Sequence, residues 1–230
     1  MKPYIFLTEN YLKYTQDGNA EQVDIRTISE QVPFETTVYF VDRYGNGANR
    51  TVDTLILLNT NVSNLTVEAK DVYGNFNTLF TLSNNTESTV LIKAQTPIVA
   101  SALKFTFPET GNPATVNAQI GVYGFVCNLL ALTDTTYKID ANSGDYRVVS
   151  GSYIHWADYK KWTAKIKMEN VTQEQFNLLT AQADLGEMTV IPYQDLEAEE
   201  IYECAVNREY QYGLDRKTEL FNIELEFNEL

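Results

Sequence analysis

The chain has 230 residues and a mass of 26.1 kDa, enough for one large domain or two modest domains that each bury a core. Its 17 basic and 31 acidic side chains give a net charge of −14, so phosphate backbones and anionic lipid repel the chain as a whole. We therefore expect no specific nucleic-acid binding. An apolar fraction of 44% is typical of a folded chain and excludes a disordered acidic tail.

The N-terminal segment offers no targeting or membrane signal. Only Ile5 to Leu7 form an uninterrupted apolar run there, which is too short for a signal peptide or a spanning helix. We therefore expect neither signal-directed export nor membrane insertion. Cys127 and Cys204 lie far apart in apolar settings without a nearby His, which favours two buried, reduced thiols over a zinc site or a redox pair.

The first half of the chain has the strand pattern of a β-sandwich. From Glu35 to about Val126, short β-rich runs alternate with turn residues. Thr54–Leu58 is a continuous apolar run, which predicts a strand buried on both faces. The alternation of apolar and polar residues over Leu65–Lys70 predicts a strand with one buried and one solvent-exposed face. Three further strands are predicted at 90–92, 103–107 and 119–126. Pro97, before the second of these, is expected to stop regular pairing.

Two segments at strand ends repeat the pattern D-x-Y-G-N, at Asp42–Asn46 and at Asp71–Asn75. The simplest interpretation is a tight turn in which Asp caps backbone N–H groups while Gly and Asn adopt positive φ. The alternative is a contact with Ca²⁺ or with a glycan. The candidate contact residues are Tyr44, Asn46, Tyr73 and Asn75.

A different pattern begins near residues 127–133, where we expect a domain boundary. Residues 127–230 carry a net charge of −10 out of −14. The alternation from Trp162 to Glu169 predicts a half-buried strand. A helix is predicted over 173–184, because Thr172 and Gln175 form a capping-box pattern and Gly186 is a typical C-terminal residue. This strand–helix–strand order predicts an α+β module with an antiparallel sheet.

The final strand alternates strictly between apolar and polar residues from Phe221 to Asn228. One face is therefore expected to be core and the other strongly acidic, with Glu224 and Glu226 as candidate assembly contacts. The residues predicted to share one core are Trp162, Ile166, Phe176, Leu179, Phe221, Ile223, Leu225 and Phe227.

The sequence offers little catalytic chemistry. The single His, His155, lacks a nucleophile elbow and is expected in a loop or turn among aromatic residues. One His and two scattered Cys cannot form a zinc or iron site. Acidic residues fall mostly on outward positions, so glycoside hydrolysis is not indicated, although acid count alone does not exclude it. We expect no enzymatic activity and no cofactor. Ca²⁺ stays open because carboxylates and loop carbonyls are abundant, although no Ca²⁺-loop pattern occurs and the acidic residues at 195–200 are more typical of a solvated face.

Two stretches resemble known virion proteins. The segment TVDTLILLNTNVSNLTVEAKDVYGN, the strand ALKFTF and the closing QIGVYGFV resemble the discoidin-like (galactose-binding-type) β-sandwich of phage virion proteins. The closing motif is matched by Ile120, Gly121, Tyr123 and Gly124. The segment from SGDYRVVSGSYIHWADYKKW to the final strand resembles C-terminal modules of phage tail proteins. The resemblance implies an N-terminal arm with a first strand at 1–34, a jelly-roll sandwich at 35–127 and an α+β module at 128–230.

Three functions compete at this point. The resemblance favours a non-enzymatic structural component of a phage tail or baseplate. Such a component would form a homo-oligomeric ring, contact other tail proteins and reside in the virion after synthesis in the bacterial cytoplasm. Glu224 and Glu226 would then face a DNA lumen or a basic partner. The alternative is a carbohydrate-binding module for host-surface recognition, with Tyr44, Tyr73 and Trp156 as exposed aromatic contacts. A small hydrolase is the third alternative.

Overall fold

The computed structural model describes residues 4–129, 136–147, 153–192, 201–207 and 209–230. At Asn128 and at residues 136–147 and 153–161 it describes the backbone alone. The strands, numbered in chain order, are β1 (Tyr4–Leu7), β2 (Thr15–Gln16), β3 (Thr27–Gln31), β4 (Phe34–Phe40), β5 (Arg50–Leu58), β6 (Leu65–Lys70), β7 (Phe76–Leu82), β8 (Val90–Ala100), β9 (Ala102–Phe107), β10 (Thr115–Tyr123), β11 (Phe125–Leu129), β12 (Thr136–Arg147), β13 (Tyr153–Val171), β14 (Glu187–Ile191), β15 (Tyr202–Val206), β16 (Gln211–Asp215) and β17 (Leu220–Glu229). The helix α1 spans Gln173–Leu185, and Tyr11–Lys13 form a 3-10 turn.

The chain folds as two compact units. The sandwich unit is Leu7–Phe125. The helix-bearing unit comprises the described residues within Met1–Phe6, Val126–Gln194 and Tyr202–Leu230. Strands β2 and β3, which lie inside the predicted N-terminal arm, belong to the sheets of the sandwich unit, whereas β1 pairs in the sheet of the other unit.

The sandwich unit consists of two antiparallel sheets with one core between them. The four-stranded sheet has the order β3-β10-β5-β8, and the five-stranded sheet has the order β2-β4-β9-β6-β7. Side chains from both sheets form one buried cluster, with Leu55 and Leu57 on one side and Phe40 and Phe105 on the other. The predicted fold class, mainly β with an N-terminal β-sandwich and one helix, is therefore confirmed.

The predicted strand patterns are confirmed within this unit. In β5 the side chains from Val52 to Leu57 are all buried, as expected for a strand without a solvent-exposed face. In β6, buried Leu65, Val67 and Ala69 alternate with half-buried polar residues, since one face of this strand meets the core and the other meets solvent.

Strand β8 differs from the expectation because it continues through Pro97. Its ladder with β5 passes from Lys93, opposite Thr54, directly to Ile98, opposite Val52, so the intervening residues bulge out of register. β8 is an edge strand of its sheet, where a residue without an N–H costs no ladder hydrogen bond. Pro97 therefore interrupts the pairing without ending the strand.

The helix-bearing unit packs α1 against an extended sheet. Its strands have the order β11-β1-β14-β15-β17-β13-β12, and β16 also pairs with β17. The helix begins after Thr172, whose hydroxyl accepts from the Gln175 N–H while the Gln175 side chain accepts from the Thr172 N–H. It ends at Gly186, which adopts φ 93°. The helix and its capping box are confirmed.

The predicted shared core of this unit is also confirmed. All eight residues belong to one cluster, with Phe176 half-buried and stacked on Phe221 at a ring distance of 4.2 Å. Cys127 and Cys204 lie in the same cluster and form no disulfide. Burial raises the pKa of Cys127 to about 12 and also raises the pKa of Cys204, so neither thiol is a nucleophile at neutral pH.

Candidate ligand-binding site

The first repeated segment, Asp42–Asn46, is a turn closed by its aspartate. Asp42 Oδ1 accepts from the Tyr44 N–H at 2.8 Å and from the Asn46 N–H at 3.0 Å, and Asp42 Oδ2 accepts from Asn46 Nδ2 at 3.1 Å. Gly45 adopts φ 84°. The Tyr44 side chain, between these anchored positions, is 74% exposed.

The second segment, Asp71–Asn75, repeats this geometry. Asp71 Oδ1 accepts from the N–H groups of Tyr73 and Asn75, both at 2.9 Å, and Gly74 adopts φ 91°. Tyr73 is 87% exposed. The predicted capping by Asp is confirmed in both turns. The expectation that Asn46 and Asn75 adopt positive φ is wrong, because their N–H groups must point back to the aspartate.

The sheet brings the two turns to one end of the sandwich unit. β4 and β6 both pair antiparallel with β9, and Ala102 is opposite Tyr39 on one side and Lys70 on the other. The strands that lead into the turns are thus parallel, in register and about 10 Å apart, twice the spacing of neighbouring strands. We call this edge of the five-stranded sheet, from which Tyr44 and Tyr73 project, the turn end.

A cleft of about 570 Å³ lies beside the first turn. It is bounded by the loop at 16–20, the end of β4, residues 47–49 and Ser101. Among the described residues, the side chains of Gln16, Asn49 and Ser101 form no hydrogen bond with a neighbour, so they stay available to a ligand. Amides and hydroxyls both donate and accept hydrogen bonds, and the volume is within the range of small-molecule sites.

The two turns are expected to open only in acid. The Asn46 side chain and the N–H groups of Asn46 and Tyr44 hold the pKa of Asp42 below its usual range, and the Asn75 N–H has the main part in lowering the pKa of Asp71. Hydrogen bonds to the charged carboxylate lower the pKa of each aspartate in the folded protein. They therefore stabilise the turns fully when the pH is above the pKa of the unfolded chain, about 3.9, and this stabilisation is lost as the pH falls through the lower pKa of the folded protein. The amide NMR shifts of Tyr44 and Tyr73 should stay constant from about pH 7 to 5 and change with midpoints below 3.9.

The Asp42→Asn variant provides the control for this titration. It should abolish the transition at Tyr44 and leave the one at Tyr73. A midpoint above the unfolded value in the unmodified protein would contradict the assigned hydrogen bonds.

Glu224 and Glu226, which were predicted to lie on a strongly acidic face, have basic neighbours. In the register, β13 lies beside β17, and Glu224 Oε1 is 2.6 Å from Lys165 Nζ while its Oε2 is 3.8 Å from Lys167 Nζ. Glu226 is exposed and lies opposite Lys165. The predicted alternation of β17 is confirmed, and the neighbouring strand pairs Glu224 with lysines while Glu226 stays exposed, so this face of the sheet is not uniformly acidic.

Trp156 and His155 lie in β13, opposite Gly144 and Asp145 of β12. His155 is therefore in a strand, which corrects the expected loop or turn. The side chains of both residues lie outside the described residues. The predicted acidic cluster at 195–200 also lies outside the described residues.

Within the described residues, no group of three or more His, Cys, Asp or Glu side chains is close enough to hold a metal ion. None of the helices described in the structure has the length and apolarity needed to cross a membrane.

Sequence reasoning missed several residues at the turn end. These are Gln16, Tyr39, Asn49, Lys70, Phe76 and Ser101. They come from distant parts of the chain and share no motif. The only sequence signal was proximity to the two repeated turns: Tyr39 lies shortly before the first, and Lys70 and Phe76 directly flank the second.

Comparisons with known proteins give structural neighbours only. No known family profile and no curated protein matches the chain. A family 32 carbohydrate-binding module from Streptococcus pneumoniae EndoD has a TM-score of 0.34 and 13% identity, covering 42% of this chain and 74% of that one. The Clostridium perfringens module CpGH89CBM32-5, solved with GalNAc-β-1,3-galactose, has a TM-score of 0.34 and 14% identity, covering 43% and 75%.

A chitosan-binding module from a Paenibacillus sp. IK-5 chitosanase/glucanase has a TM-score of 0.33 and 18% identity, covering 43% of this chain and 76% of that one. None of these three neighbours is a phage tail protein. The chain is thus similar in part to modules of the carbohydrate-binding type, and any function for it rests on the geometry of its own turn end.

Proposed function

We propose that the sandwich unit is a non-catalytic carbohydrate-binding module whose ligand lies across the turn end. The observation that carries this proposal is the placement of Tyr44 and Tyr73 at one end of the sheet, both largely exposed and both fixed by aspartate-anchored turns. An exposed aromatic ring on an anchored backbone offers an apolar face on which a sugar ring can stack. Rigid turns also reduce the entropy lost when the ligand binds.

The cleft supports the same proposal through its polar groups. Gln16, Asn49 and Ser101 are neutral, and each side chain can both donate to and accept from a sugar hydroxyl. Two of the neighbouring structures are described with saccharides, GalNAc-β-1,3-galactose and chitosan, and those ligands belong to those proteins. For this chain we propose glycan binding without a bond-breaking step.

The test is a glycan array followed by titration of the hits against single variants. Tyr44→Ala and Tyr73→Ala should each weaken binding by about 3- to 10-fold, since a stacked aromatic ring contributes about 0.5–1.5 kcal/mol. Tyr212→Ala is the matched control, because Tyr212 is 63% exposed in the other unit and should leave binding unchanged. An array without hits, or equal losses in all three variants, would contradict the proposal.

A structural role in a phage tail or baseplate stays a second proposal, with location in the virion as its consequence. It is supported by β16, in which all five residues are exposed and no second strand pairs with it among the described residues. A free edge strand is a template for pairing with another chain. Light scattering should then show an oligomer that Leu214→Lys on this edge dissociates, while Leu185→Lys at the exposed end of α1 does not. A monomeric unmodified protein would contradict it.

A further inference from the structure

We infer that the glycan bound at the turn end carries an anionic substituent, a carboxylate or a sulfate, and that Lys70 binds this group. The inference rests on the proposed carbohydrate-binding function and adds the class of ligand. It follows from a row of side chains on the outer face of the five-stranded sheet.

The register defines this row. Tyr39, Ala102, Lys70 and Phe76 are mutually opposite on β4, β9, β6 and β7. Their chain neighbours Phe40, Leu103 and Ala69 are buried in the sandwich core, so the row faces outward. Lys70 Nζ lies 5.3 Å from the centroid of the Tyr39 ring and 5.9 Å from that of the Phe76 ring. Lys70 Nζ thus lies between two aromatic rings, and the Nζ of the ion-paired Lys104 lies 5.6 Å from the centroid of the Phe76 ring as well.

Lys70 has no acidic partner, in contrast to the next lysine along this face. Lys104 forms an ion pair with Glu68, and this hydrogen bond raises the pKa of Lys104. Among the described residues, no carboxylate pairs with Lys70. Arg43 in the first turn is similar, because its guanidinium lies 4.9 Å from the Tyr44 ring and no described carboxylate pairs with it. Two cations on aromatic rings are therefore left uncompensated at the turn end.

Because of the surrounding charges, the sandwich unit favours an anionic group only where that group touches Lys70 directly. The sandwich unit has 7 basic and 12 acidic side chains, so its overall field does not attract anions. Asp42 and Asp71 accept hydrogen bonds from their own turns, and Glu68 is paired with Lys104. The Lys70 ammonium is therefore the cation of the row that no described carboxylate pairs with. An anionic group is selected only where it reaches the Lys70 ammonium, and there it forms a charge-assisted hydrogen bond.

The neighbouring groups match the remaining parts of an acidic sugar. Tyr39 also lines the cleft, so the row and the cleft form one continuous surface. A sugar ring over Tyr39 or Phe76 presents its apolar C–H groups to the aromatic face, its hydroxyls reach the amides of the cleft, and its carboxylate or sulfate reaches Lys70. A neutral glycan satisfies the first two contacts and leaves the ammonium without a partner.

The experiment compares ligands that differ only in charge, using the full chain. Trigalacturonate is titrated against its neutral methyl ester, and a chondroitin sulfate tetrasaccharide against its desulfated form. The Lys70→Met variant keeps the length of the side chain and removes the charge. Lys93→Met is the matched control, because Lys93 is exposed on β8 of the other sheet and its loss changes the net charge equally.

We expect the unmodified protein to bind at least one anionic member about tenfold more tightly than its neutral twin, the effect of one charge-assisted hydrogen bond. The Lys70→Met variant should lose this difference, and its affinity for the neutral ligand should change by less than about twofold. The Lys93→Met variant should keep the preference of the unmodified protein for the anionic ligand. The sugar that shows the difference identifies carboxylate or sulfate as the substituent.

Other outcomes separate the two proposals. Glycan binding with no preference for charge, or equal losses of charged and neutral binding in Lys70→Met, overturns the inference and leaves the carbohydrate-binding function intact. Absence of binding to any glycan overturns both. Binding of an acidic peptide such as oligoglutamate with the same dependence on Lys70 would identify the surface as one for acidic protein segments and would also overturn the inference.

Discussion

Replacing Phe227 with alanine is expected to lower the free energy of unfolding by about 3–5 kcal/mol. The Phe227 side chain is 0% exposed and packs on Phe6 at a ring distance of 5.8 Å. Phe227 is also opposite Ala164 of β13 and Val206 of β15, so it lies where three strands of the sheet meet. Such a site cannot collapse when the ring is removed, because the strands on either side are fixed by their hydrogen bonds.

Denaturant unfolding followed by tryptophan fluorescence measures this loss. Both tryptophans of the chain, Trp156 and Trp162, are in β13, so the signal reports on the helix-bearing unit. Glu226→Ala is the matched control on the opposite face of β17, with an expected change within about 0.5 kcal/mol. A Phe227→Ala variant as stable as the unmodified protein would show that the final strand does not contribute to this core.

Gly124→Ala is expected to destabilise the sandwich unit by about 1–3 kcal/mol through overpacking. A Cβ atom at Gly124 would lie 2.8 Å from the Thr51 carbonyl oxygen and 2.9 Å from the Tyr11 hydroxyl. The backbone at this point cannot retreat, because the Gly124 N–H donates to Thr8 Oγ1 at 3.0 Å and its carbonyl accepts from the Thr8 N–H at 2.9 Å. The steric conflict is therefore with fixed backbone.

Substitutions at two other glycines provide comparisons for this prediction. At Gly121 an added Cβ would meet the Tyr123 ring, with a shortest distance below that at Gly124, but a side chain can rotate away and the expected loss is smaller. At Gly47 nothing lies within 4 Å, so Gly47→Ala should leave stability nearly unchanged. Thermal unfolding followed by circular dichroism ranks the three variants, and a Gly124→Ala midpoint equal to that of Gly47→Ala would contradict the assigned packing.

The same glycines explain part of the sequence resemblance in physical terms. The motif at Ile120, Gly121, Tyr123 and Gly124 was taken from a family pattern. In the structure, Gly121 makes room for the Tyr123 ring, and Gly124 allows the close approach of Thr51. The two glycines of the motif are therefore explained by packing at the end of β10.

Local patterns of the sequence were sufficient for several of the elements. The alternation in β6 and β17, the capping box of α1 and the aspartate-capped turns were all predicted, because each depends on residues within about one turn or one strand of each other. The core of the helix-bearing unit was also predicted, since a residue on the apolar face of its element is buried whichever strand lies beside it.

Pairing between strands distant in the sequence decided the rest. The charge of Glu224 is compensated because β13 places Lys165 and Lys167 beside it, whereas Glu226 on the same face stays exposed. The turn end exists because β9 pairs with both β4 and β6, which places two similar turns, separated along the chain, about 10 Å apart. The sequence by itself determined the elements with a strong local pattern, such as β5, β6, β17, α1 and the two turns. Strand order and register, set by long-range packing, determined that His155 lies in a strand, which charges are compensated and which side chains share a surface.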